Sequence, residues 1–99
     1  MPRDPFFSLD VRRSEHGTVV SVAGELDVAT APELARALAD AGGDVTVDLS
    51  AATFADPSAL RVLLAARAAG CRLRVLRRRG GPVARLLALT DTETVLGAG

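Results

Sequence analysis

Ninety-nine residues with 48% hydrophobic side chains suffice for one small core, so a single domain is expected over residues 1–99, its core at about 6–96. Twelve acidic and twelve basic residues cancel, and there is no Trp or Tyr, which argues against a nucleic-acid binder with a basic face or base-stacking platform. The single cysteine, Cys71, excludes an internal disulfide and by itself makes no metal site.

Met1-Pro2-Arg3-Asp4-Pro5 lacks the apolar core of a signal peptide, and no run approaches the roughly 20 apolar residues that span a bilayer. The expected location is the cytoplasm, without direct membrane insertion. Phe6–Arg13 alternates, meets the turn-like Ser14-Glu15-His16-Gly17 and continues in a second strand at Thr18–Ala23, which together predict a hairpin. Thr30-Ala31-Pro32-Glu33 predicts a helix start, with a capping box between Thr30 and Glu33 and Pro32 in the first turn. Leu34, Leu38 and Ala41 share a face of that helix, and Gly42-Gly43 ends it.

Val45, Val47 and Leu49 mark a third strand, followed by a second helix over Asp56–Ala69 that Gly70 closes. Cys71–Arg77 reads as a fourth strand, with Leu73 and Val75 on one side and Arg72, Arg74 and Leu76 on the other. Gly81-Pro82 starts a third helix with Val83, Leu86 and Leu87 inward, and Thr94–Leu96 is a short last strand. Strands separated by single helices are expected to be parallel, with right-handed crossovers. The expected fold class is α/β: an N-terminal β-hairpin, then alternating helices and strands, forming a mixed sheet of four to five strands with helices packed on it.

In such a sheet, sites form beyond the carboxyl ends of the parallel strands. Three loops are expected there: Gly24-Glu25-Leu26-Asp27, Ala51–Asp56 and Arg77–Pro82, the carboxylates of the first two facing the arginines of the third. Asp56 suits an N-cap, and Pro57 suits the first helical position, so the pair reads as a helix start with or without a recognition role added. On the second helix, Leu60, Leu63, Leu64 and Ala68 form the expected core stripe. The opposite side, Ser58, Ala59, Val62, Ala65, Ala66 and Ala69 with Arg61 at its border, is poor in charge. That face suits a docking protein, or simply reflects alanine's helix propensity, which Val62 does not share.

Gly24-Glu25-Leu26-Asp27 before a Thr30-headed helix, and Val47-Asp48-Leu49-Ser50 with Phe54, Asp56, Ser58 and Leu60, together resemble the two signatures of STAS domains, the anti-sigma factor antagonist family. Their order and spacing agree from about Phe6 to Leu96. The resemblance implies a non-enzymatic regulatory module that binds a serine-kinase anti-sigma factor until the serine after the loop aspartate is phosphorylated. Here Pro57 occupies that serine's position and Ala59 that of a common glycine, so the expected phosphoswitch is in doubt. Ser58 is the remaining phosphorylation candidate on the opening turn, against its reading as a plain first-turn serine.

The expected partner-binding set is Asp27, Asp56, Pro57, Ser58, Ala59, Arg61, Val62, Ala65 and Ala66. No catalytic, cofactor or metal residue is assigned. Two other functions compete: a STAS subunit docking on the cytoplasmic ATPase of an ABC-type transporter, and a small α/β hydrolase or phosphotransferase using Ser58. For the last, no base or oxyanion site is apparent, and His16 belongs to the far end of the hairpin.

Overall fold

Alternating side chains in β1 (Phe7–Ser14) and β2 (Gly17–Leu26) pair antiparallel around the turn at Glu15-His16 in the computed structural model, which describes residues 6–90. The Ser14 hydroxyl holds this turn, accepting the His16 amide at 3.1 Å and donating to the Gly17 carbonyl at 3.3 Å. Helix α1 (Ala31–Ala41) leads to β3 (Asp44–Ala55), α2 (Pro57–Ala68) to β4 (Arg72–Leu76), and α3 (Pro82–Leu89) follows. The sheet order is β1-β2-β3-β4, with β2, β3 and β4 mutually parallel. This is the small mixed α/β fold expected. The strand expected at Thr94–Leu96 lies outside the described residues.

Residues 20, 22 and 26 of β2, 45, 47, 49 and 52 of β3 and 75 of β4 turn their side chains into one core. Leu34 and Leu38 of α1, Leu60 and Leu63 of α2, and Val83 and Leu87 of α3 complete it. Full burial of each such side chain is worth roughly 1.5–3 kcal/mol relative to exposure. Because α2 contacts both α1 and α3, the three helices share one face of the sheet. No helix among the described residues packs on the other face, where Ser8, Asp10, Val19, Thr46, Arg74 and Leu76 lie.

Both central strands run further than expected. Gly24, Glu25 and Leu26 are not a loop but the end of β2, and Ala51–Ala55 is the end of β3. Two irregularities make this possible, between Ser21 and Ala23 and between Gly24 and Glu25 of β2, each matched by one extra residue in β3. An inserted residue reverses which face the following side chains meet. The first insertion shifts β3's inward positions from Val45, Val47 and Leu49 to Ala52, which keeps its small side chain beside Gly24 in register.

Gly24 itself has φ +91°, a conformation that favours glycine, and a Cβ there would overlap the Phe6 carbonyl. That close approach lets the Glu25 amide donate to the Phe6 carbonyl at 2.7 Å and pins the start of β1 to the end of β2.

Candidate functional site

Strands β2 and β3 end level. Leu26 pairs with Ala55, so Asp27 and Asp56 leave the sheet side by side, and the Asp56 amide donates to the Leu26 carbonyl at 3.3 Å. Asp27 then turns the chain toward α1. Its Oδ1 accepts the Ala29 and Thr30 amides at 2.9 and 3.1 Å, and its carbonyl accepts the Ala31 amide at 2.7 Å. Thr30, only 2% exposed, returns the contact: its hydroxyl accepts the Asp27 amide at 2.9 Å and donates to the Glu25 carbonyl at 2.8 Å.

The capping box expected between Thr30 and Glu33 is therefore absent. Thr30 has helical dihedrals and its side chain makes no cap bond to α1. Turned backward, the hydroxyl serves an amide and a carbonyl of the preceding turn, groups that would be costly to leave unpaired in a buried place.

Asp56 is the N-cap of α2, as its sequence context predicted. It is extended (φ −122°, ψ 179°), its Oδ1 accepts the Ser58 amide at 2.8 Å, and Pro57 occupies the first turn where a missing N–H costs nothing. For Asp27 and Asp56 alike, the bonds to the carboxylate fall on Oδ1, and Oδ2 has no hydrogen bond among the described residues. The result is a pair of carboxylates, each held by its own turn, each keeping an oxygen for an incoming donor. A charge-assisted bond from an arginine or lysine is the strongest contact such an oxygen can accept.

The face of α2 divides differently from its expected wheel. Ala59, expected on the docking face, is buried at 2% exposure, and Ala68, expected in the core, is exposed. The buried stripe of α2 is Ala59, Leu60 and Leu63. Ser58, Val62 and Ala66 are half-buried, Arg61, Ala65 and Ala69 exposed. Val62 and Ala66 pack against the core and, with Ala35, Leu38 and Ala39 of α1, line a groove of about 480 Å³ whose rim carries Arg61. The surface is thus a helix flank and a groove, not a fully exposed apolar plane. Cys71 also lines it, its thiol pushed up from the ordinary value by burial and then by nearby Asp44, which keeps it protonated.

Arg77, Arg78 and Arg79 are not brought to the two aspartates. Leu76, the last residue of β4, pairs with Asp48, while β3 continues seven residues to Ala55, roughly 20 Å further at the usual rise per strand residue. Parallel order alone did not reveal how short β4 is. His16 lines a separate cavity of about 580 Å³ at the opposite end of the sheet, beside Asp44 and Arg72, which pair at 3.1 Å. Ser58 therefore has no histidine beside it. Among the described residues no group of three or more His, Cys, Asp or Glu side chains is placed to hold a metal, and no helix is long and apolar enough to cross a membrane.

Three apolar residues outside the expected partner-binding set are exposed at the same corner: Phe6 (64%), Phe54 (48%) and Val28 (74%). A signal was present in Phe6-Phe7, since adjacent strand residues point to opposite faces and only one of the two can enter the core.

The sequence model described as "Mlab, STAS domain" matches residues 9–97. The chain belongs to the STAS family. An anti-sigma factor antagonist from Mycobacterium paratuberculosis superposes with a TM-score of 0.79 at 29% identity, over 94% of this chain and 86% of that one. An antisigma-factor antagonist STAS domain from Rhodobacter sphaeroides gives 0.56 at 25% identity, over 73% and 87%. No curated protein is significantly similar in sequence. Within this STAS domain, the element of greatest functional interest is the Asp56-Pro57-Ser58 start of α2.

Proposed function

We propose that this STAS domain is a non-enzymatic regulatory module acting in the cytoplasm as an anti-sigma factor antagonist, whose partner is a serine-kinase anti-sigma factor. Asp27, Asp56, Ser58 and the flank of α2 formed by Arg61, Val62, Ala65 and Ala66 make up its docking surface, with Pro57 fixing the start of the helix. One observation carries this reading: two carboxylates fixed side by side at the level ends of β2 and β3, directly against the first turn of α2. The anti-sigma factor antagonists that share the fold support it.

Phosphorylation does not release this partner. Pro57 offers no hydroxyl, and the Ser58 side chain is turned by about 100° around the helix from the preceding position. Its amide is engaged by Asp56 at 2.8 Å, and a phosphate on Ser58 would bring nearly two negative charges beside that carboxylate. Catalysis of phosphoryl transfer tolerates misplacement of an acceptor poorly.

The test is a titration of the purified full chain against each purified serine-kinase anti-sigma factor of the source organism, with and without Mg-ATP. Saturable binding to one of them, unchanged by ATP, with no phosphate on Ser58 in the mass spectrum, is the expected result. Saturable binding only to a transporter ATPase would replace the partner. Release by ATP with label on Ser58 would overturn the constitutive part.

A further inference from the structure

We infer that the docking surface does not stop at α2 but continues around the end of the sheet onto its helix-free face, where Phe6, Glu25 and Phe54 form an acidic, aromatic ledge for an arginine- or lysine-bearing segment of the same partner. This rests on the regulatory reading above and adds a second arm to it.

The ledge follows from register. Leu26 of β2 faces the core, so its neighbour Glu25 faces the other side, and Glu25 pairs with Phe54 of β3. On the opposite flank Phe7 pairs with Gly24 and turns into the core, and the Glu25 amide donates to the Phe6 carbonyl. Phe6 and Phe54 therefore flank Glu25 on one rung of the face that no helix among the described residues covers. Val28 is exposed in the turn that follows, next to Asp27.

Two of the chain's three phenylalanines are exposed on this rung. Isolated exposed apolar residues need no explanation, but aromatic side chains gathered at one corner beside oriented carboxylates do. Aromatic side chains, Phe among them, are enriched at protein interfaces, where a few covered residues carry most of the binding energy.

Charge selects the occupant. Residues 24–35 and 51–60, which build this corner, carry four carboxylates, Glu25, Asp27, Glu33 and Asp56, and no basic residue. The first basic residues beyond them are Arg36 and Arg61. In a chain of zero formal net charge this is a local excess of negative charge, and it steers and orients a positively charged partner surface. A second copy of this chain would bring the same acidic rung against itself.

The experiment places a photo-cross-linking phenylalanine analogue at Phe54 and, in a separate full-length chain, at Ala65 of α2, in cells of the source organism. Both positions are expected to capture the same protein. With that protein purified, Phe54→Ser and Phe6→Ser should each weaken binding about tenfold or more while melting temperature is kept, as loss of an interfacial aromatic does. Glu25→Arg should weaken it more at low salt than at high salt, as expected for a screened charge contact. Capture from Ala65 but not from Phe54, or serine variants that bind as tightly as the parent, would overturn the ledge and leave the regulatory reading intact. Capture from Phe54 of only a second copy, or of this chain's own residues 1–5 or 91–99, would also overturn it. No capture from either position would sink both.

Discussion

The Asp27 amide and the Thr30 hydroxyl lie 2.9 Å apart, while the Thr30 amide and the Asp27 carboxylate lie 3.1 Å apart, so each residue holds the other's backbone. The same hydroxyl donates to Glu25 at 2.8 Å, and the turn that aims Asp27 is thereby closed from both sides.

Thr30→Val keeps the shape of the side chain and removes this oxygen. The Asp27 amide and the Glu25 carbonyl then lose a partner, at a cost of about 1–3 kcal/mol for groups buried this far. For a domain of this size that corresponds to a fall in Tm of roughly 5–15 °C. Thermal unfolding followed by circular dichroism checks it; a Tm within a degree of the parent would mean the turn is held by Asp27 alone.

Gly24 is the second point where the corner depends on one atom, here a Cβ that is absent. Gly24→Ala places a Cβ against the Phe6 carbonyl in a left-handed backbone conformation, so β1 must move or the strand must re-form without the Glu25–Phe6 bond. A loss of roughly 2–4 kcal/mol is expected, at the upper end of single-substitution effects. Chemical denaturation measures it, and amide exchange should show the Glu25 N–H losing protection before the amides of β3.

Much of this architecture is legible in the sequence because burial on a single face forces alternation. Val20 and Val22, Val45 and Val47, and Leu73 and Val75 reveal their faces in this way, and the helix stripes of Leu34 with Leu38 and Val83 with Leu87 follow the helical period. The end of β3 is different. Ser50-Ala51-Ala52-Thr53 has the composition of a loop, and only pairing to β2, with an extra residue on either side of Ala52, makes it a strand.

The site was legible where a residue has one chemical option and obscure where it has two. Asp56 before Pro57 can do little but cap α2. Thr30 can serve the helix after it or the turn before it, and only the position of the Asp27 amide decides. Alanine carries almost no information about burial, so Ala59 and Ala68 were exchanged. What separates them is their place beside the buried Leu60 and Leu63, not any pattern among the alanines.

That exchange has a consequence for mutagenesis along α2. Ala59→Leu adds three carbons where there is no room and should destabilise the fold by about 1–3 kcal/mol. Ala65→Leu, at an exposed position on the rim of the groove, should leave Tm within about 2 °C, since surface changes fall within roughly ±0.5 kcal/mol. Partner affinity should respond in the opposite order: Ala65→Leu changes it directly, and Ala59→Leu only through loss of folded protein. Calorimetric titration beside thermal unfolding separates the two.

Asp56 combines a cap with a charge, and two substitutions divide them. Asn is nearly as good a cap as Asp, whereas Ala removes the bond to Ser58 and costs about 1 kcal/mol of stability. If Asp56 also receives a cationic group of the partner, Asp56→Asn should keep the parent Tm yet lose affinity by about tenfold or more, in line with the higher energy of bonds to charged groups. Equal affinity for Asp56→Asn and the parent would confine the residue to its capping role.

Pro57→Ser tests whether, under the proposed function, one missing hydroxyl is all that keeps the complex from being released by phosphorylation. Asp56 already caps the helix, and serine is tolerated in a first turn, so the fold should change little in stability. The new hydroxyl would stand on the residue after the loop aspartate, at the positive end of the helix dipole, which favours a phosphate electrostatically. In the presence of the anti-sigma kinase and Mg-ATP, this variant should take up one phosphate on residue 57 and leave the complex, while the parent stays bound and unlabelled. On the proposed docking surface, the phosphate would put nearly two negative charges beside Asp56 and Asp27, and like-charge repulsion with the cost of desolvating it should weaken the contact. A variant that binds the kinase as the parent does but is neither labelled nor released would show that residues beyond position 57, Ala59 first among them, also keep the acceptor out of the kinase's reach.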